Sequence, residues 1–198
     1  MSENHTIDRR KAIKQASLFL GVAISAPAIT GVLNGCTAQK ELDWMPQFLT
    51  KDEAFLIEAA SDRILPAGKT PGAKDAGVVR FIDQMVAEYY LPEDQLQFRS
   101  GMEALEAKSD EIAGKSFVKA SESEQDTVLS ELALEARKQR MEQPDSPQHF
   151  FLMLKELTVL GFFNSEIGAT QVLNYDDVPG GFQGCAPLDE LGGKTWAT

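Results

Sequence analysis

Apolar residues recur at three- and four-residue intervals through five stretches of the chain, and no stretch shows the two-residue alternation of a strand. The first stretch opens with Thr50-Lys51-Asp52-Glu53, a capping box in which the Thr50 hydroxyl takes the Glu53 amide and Glu53 reaches back. Phe55, Leu56, Ala59, Ala60 and Ile64 follow, and Pro66 stops the helix. Pro66 to Gly72 reads as a loop with Pro71-Gly72 as a turn pair. A second helix carries Val78, Phe81, Ile82, Met85, Val86 and Tyr89. Pro92 opens a third, patterned by Leu96, Met102, Leu105 and Ile112 and fading at Gly114. Ser121-Glu122-Ser123-Glu124 is a second capping box, ahead of Val128, Leu129, Leu132 and Ala136. That helix closes with Arg137, Lys138 and Arg140, which suit the negative end of the helix dipole. Asp145-Ser146-Pro147 predicts the start of the last long helix, with proline at its first position. Its residues Phe150 to Phe163 are apolar nearly all round, which predicts a central core helix or one covered by another protein. The expected fold is all-α: a small domain of about five helices over residues 48–198, with an irregular C-terminal tail from about Tyr175.

The segment ahead of the helices reads as an address rather than as fold. Arg9-Arg10 lies in Asp8-Arg9-Arg10-Lys11-Ala12-Ile13-Lys14, and a weakly apolar run follows from Ala16 to Val32. Paired arginines before a modest apolar stretch are the layout of a twin-arginine export signal, a route taken by proteins that are already folded. An ordinary secretory signal would use the same pair as its basic head. Leu33-Asn34-Gly35-Cys36 resembles a lipoprotein cleavage box, with Cys36 as the lipidated first residue. Ser17, Ser25, Pro27, Thr30 and Asn34 interrupt the ~20 apolar residues that a transmembrane anchor needs. The chain therefore divides into a cleavable signal over 1–36, a tether over 37–47 and the helical domain. The mature protein is expected on the periplasmic side of the cell envelope, held to the membrane by its lipid.

Charge narrows the partners. The chain carries a net −11, and removing a leader with four basic and two acidic residues leaves −13. Phosphate contacts need a basic face, so the charge argues against nucleic acid as a partner and against docking on anionic lipid by charge alone. Cys185 is the one cysteine beyond Cys36, so a lipidated chain forms no internal disulfide. Cys185 itself is expected as a small buried hydrophobe, with a reactive thiol as the other reading.

Candidate chemistry is sparse. The two histidines are His5, in the leader, and His149, in the first turn of the last helix and expected to be partly exposed. One histidine without paired cysteines or a Glu-x-x-His spacing does not make a zinc set. There is no Cys-x-x-Cys-His for covalent haem, no Gly-x-Ser-x-Gly elbow and no dinucleotide or phosphate loop. Gly192-Gly193-Lys194-Thr195 has the last letters of a phosphate loop without the leading glycine or a flanking strand. Glu156 and Glu166, on or beside the apolar last helix, are the carboxylates best placed to act as acid or base, if buried. The other reading is a carboxylate bonded to a backbone end or to an arginine.

Two blocks of residues resemble a known family. One runs from Glu58 to Ile64, through Leu65-Pro66 and Pro71-Gly72-Ala73, to Val78 and Phe81-Ile82-Asp83. The other holds Phe151 to Thr158, Gly161-Phe162-Phe163-Asn164-Ser165, Gly168, Tyr175, Val178-Pro179-Gly180 and Gly184-Cys185. Their order and spacing are similar to the gluconate 2-dehydrogenase subunit 3 family, over roughly Phe48 to Pro187. The stretch Pro92 to Gln143 adds no motif to the match.

The resemblance implies an accessory subunit with no catalytic residue and no cofactor of its own. In that family the large subunit, of the glucose-methanol-choline type, holds FAD and oxidises a sugar or polyol. A cytochrome c subunit or domain then takes the electrons, and the small subunit aids folding and passage through the twin-arginine translocase. The implied partner-binding residues are Leu65, Pro66, Pro71, Gly72, Phe163, Tyr175, Pro179, Gly180 and Phe182. Phe150, Phe151 and Phe162 are further aromatic candidates, with Phe151 and Leu154 expected in the core. A stand-alone envelope lipoprotein that binds a sugar or a protein is the alternative reading, and an enzyme built on a carboxylate pair is a third.

Overall fold

The computed structural model describes residues 41–178, 180, 181 and 185–197. Arg9, Arg10, Cys36, Pro179 and Phe182 lie outside the described residues. Contacts divide the chain into a unit ending at Asp43 and a compact unit beginning at Trp44. The second unit holds α1 (Lys51–Ile64), α2 (Val78–Tyr89), α3 (Pro92–Ala113), α4 (Glu122–Glu142) and α5 (Phe150–Phe163). A 3-10 turn at Phe117–Lys119 joins α3 to α4, and a π turn at Gly168–Val172 follows α5.

Both expected capping boxes form. The Thr50 side chain accepts from the Glu53 amide while Glu53 takes the Thr50 amide at 2.7 Å, and Ser121 and Glu124 repeat the arrangement. These bonds satisfy orphan amides at the starts of α1 and α4. Gly114 closes α3 in the left-handed region, at φ 64°.

α5 is the central helix: it packs on α1, α2, α3 and α4. Phe150, Met153, Leu154, Leu157, Gly161 and Phe162 fill its buried face. Two glycines make that packing possible. A Cβ on Gly101 of α3 would overlap the Phe150 ring, and one on Gly161 would overlap the Phe81 ring. Phe98 completes an aromatic cluster, edge-on to Phe150 at 5.1 Å and to Phe48 at 6.3 Å.

Three expectations about the helices are corrected. The last helix starts at Phe150 and not at Pro147, because His149 is the cap: its Nδ1 accepts the Phe151 N–H at 3.1 Å. On α3 the buried face is Phe98, Gly101, Met102, Leu105 and Ser109, so Leu96 and Ile112 point outward. Tyr89, counted in the apolar spacing of α2, is 69% exposed.

Candidate docking surface

The loop after α1 is tied into a noose. The Ala73 amide donates to the Leu65 carbonyl at 2.8 Å, and the Gly72 amide to Asp75 Oδ2 at 2.8 Å. Gly72 is buried, and a Cβ there would strike the backbone of Leu65 to Ala67, so only glycine lets the strands of the noose touch. Leu65 and Pro71 are half-buried, whereas Pro66 and the loop tip through Thr70 are exposed. Gly72 therefore shapes the loop, and Pro66 is the member of this group that faces solvent.

α5 presents a second group. Its outward stripe is charged near the start, at Lys155 and Glu156, and apolar toward the end. Val159, Leu160 and Phe163 are 37%, 44% and 37% exposed, one apolar ledge on a helix otherwise spent on the core. Hydrogen bonds close the helix end beneath the ledge. Asn164 donates its side-chain amide to the Leu160 carbonyl at 2.8 Å, and Ser165 Oγ donates to the Phe162 carbonyl at 2.6 Å. Gly168 comes so close to the Phe162 carbonyl that a side chain would not fit. Of the aromatic candidates, Phe150 and Phe162 are core residues and not surface ones, at 6% and 2% exposure. Leu154 is fully buried, and Phe151 half-buried.

Beyond the π turn, Asn174 organises what the sequence left irregular. Its amide donates to the Thr195 carbonyl, its carbonyl accepts from Ala197, and its side chain reaches the carbonyls of Leu191 and Lys194 at 2.8 and 2.9 Å. Lys194 Nζ donates to the Gln171 carbonyl at 2.6 Å, so this lysine closes the tail. Tyr175 and Val178 are exposed at 56% and 80%, and Gly180 is exposed too. Cys185 is free and exposed, contrary to the expectation of burial. No sequence signal marked Asn174, because its partners are carbonyls some twenty residues away.

A polar cleft of about 400 Å³ lies between α4 and α5, lined by Arg140, Gln143, Pro147, His149, Leu152 and Glu156. Burial holds His149 below the usual imidazole range, against the upward pull of Glu135. With Nδ1 engaged as a helix cap, the ring has a structural task already. Glu156 is exposed and accepts from the Gln148 side chain at 3.1 Å, and Glu166 is exposed as well, so neither is a buried carboxylate. Among the described residues no three His, Cys, Asp or Glu side chains gather as a metal set. No helix among them is long and apolar enough to cross a membrane.

The described residues thus form a helical domain that exposes an apolar ledge, a loop tip and a hydrogen-bonded tail. The chain matches the gluconate 2-dehydrogenase subunit 3 family over residues 51–180, about two thirds of its length, and belongs to that family. Membership makes it an accessory subunit of a dehydrogenase complex. No curated protein and no solved structure matches it.

Proposed function

We propose that this subunit binds the FAD-carrying catalytic subunit of a sugar or polyol dehydrogenase, escorts it through the twin-arginine translocase and anchors it to the periplasmic face of a membrane through Cys36. The observation that carries the docking part is the ledge of Val159, Leu160 and Phe163 on the most apolar of the described helices, in a chain that belongs to this family. A folded flavoprotein without a signal of its own crosses only while bound, so escort demands a stable interface of at least about 1,200 Å² in total. The ledge, the Pro66 tip and the exposed Tyr175–Val178 segment supply apolar anchors for it. Arg9-Arg10 and Cys36 supply the signal and the lipid. Oxidation of substrate and delivery of electrons to a cytochrome c belong to the partners.

The test is a double variant, Leu160→Asp with Phe163→Asp, in cells that also make the catalytic subunit. Leu160 and Phe163 are 44% and 37% exposed, and an unchanged circular dichroism spectrum is the condition for reading the variant as an interface change. Two charges in a desolvated contact should weaken the complex at least tenfold, seen as loss of the large subunit from a tagged pull-down. Full retention of the partner would move the interface elsewhere.

A further inference from the structure

Four of the most exposed apolar side chains lie away from the ledge in sequence: Met45 at 89%, Leu96 at 70%, Tyr89 at 69% and Leu91 at 59%. The segments that carry them meet where the chain runs into α1. Gln47 and Phe48 share a cleft with Pro92 and Leu96. The Gln95 side chain donates to the Val86 carbonyl at 2.9 Å and binds the start of α3 to the end of α2, which sets Tyr89 and Leu91 beside it. Phe48 and Tyr90 meet the same Phe98 ring, at 6.3 and 6.4 Å.

The path of the chain into this corner is fixed. The Asp83 carboxylate accepts the amides of Gln47, Phe48 and Leu49, at 2.7, 3.0 and 2.8 Å. The Arg80 guanidinium lies 6.0 Å from the centre of the Trp44 ring. Cys36 precedes Trp44 by eight residues, a reach of at most ~29 Å fully extended. An acyl chain at Cys36 would thus keep this corner close to lipid. Glu88 and Glu93 are exposed nearby and the chain is acidic, so contact with the bilayer would come from apolar side chains and not from charge. Such contact is weak alone and becomes effective on a short tether.

We infer that the corner formed by Met45, Tyr89, Leu91 and Leu96 rests on the lipid bilayer in the anchored protein and sets the orientation in which the dehydrogenase is held. The inference rests on the lipidation proposed above. It is tested with the full-length, lipidated protein in vesicles of phosphatidylethanolamine and phosphatidylglycerol, with and without brominated acyl chains. Trp196→Phe leaves Trp44 as the one fluorophore of its kind. Trp44 emission should fall at least about twofold in the brominated vesicles, as for a ring at the acyl boundary. The triple variant Met45→Ser, Leu91→Ser, Leu96→Ser should still sediment with the vesicles, with normal circular dichroism, and lose the quenching. Sedimentation of the parent protein without quenching overturns the inference and leaves the anchor standing. Unchanged quenching in the triple variant overturns it too. A triple variant that sheds the catalytic subunit assigns the corner to a protein contact and overturns it. A parent protein that does not sediment removes the anchor, and the inference falls with it.

Discussion

Asp83 gives both carboxylate oxygens to three backbone amides, those of Gln47, Phe48 and Leu49, and is 2% exposed. Removing it leaves those donors without a partner at the edge of the core. Asp83→Ala should cost about 2 kcal/mol or more, the scale of charge-assisted bonds lost together, read as a lower urea midpoint. A second residue sets a pH dependence. His149 caps α5 through a neutral Nδ1, and burial keeps its affinity for protons below the usual value of 6.5. Its contribution is complete above that value and is lost as the pH falls through it toward the folded-state value, because the unfolded chain binds the proton first. His149→Asn keeps a capping side chain that does not titrate, so the variant should lack the stability loss that begins near pH 6.5 in the parent. Glu124 acts in a separate, more acid window. The Ser121 amide, the Ser121 hydroxyl and Lys115 lower it from 4.5 to about 2. Stability from that carboxylate is present above 4.5 and is lost as the pH falls toward about 2.

At the scale of elements, what decides the packing is how closely α5 meets its neighbours. Gly101→Ala would drive a methyl into the Phe150 ring, and the ring is backed by Phe98. Overpacking of this kind should cost about 1–3 kcal/mol and lower the unfolding temperature without changing helical content in the folded state. The helices themselves were legible: both capping boxes, the proline stops and the three- to four-residue spacing placed α1 to α4 closely. The start of α5 was not, because a proline after Ser146 looks like a first helical residue while the half-buried His149 supplies the cap. The face of α3 was misjudged for a similar reason. Leu96 and Ile112 are apolar by composition, and nothing local reveals that Gly101 and Ser109 are the residues facing the core.

Across the whole molecule, an acidic chain with no disulfide among its described residues holds together around one central helix and leaves part of that helix bare. Of the two readings of Phe150–Phe163, the structure bears out the central core helix, and it leaves Val159, Leu160 and Phe163 exposed on the outer side. The division into buried Phe162 and exposed Phe163 was not legible, since adjacent phenylalanines are equivalent until the neighbouring helices are in place. The tail was equally opaque, because Asn174 joins it to residues far along the chain. The role proposed for this domain is to hold a flavoprotein. Its most direct test is purification of the tagged chain from native membranes under gentle extraction, followed by an absorbance spectrum of the eluate. A large partner in equal amount, yellow and with the two bands of oxidised flavin, is the predicted result; a colourless protein eluting alone would contradict the account.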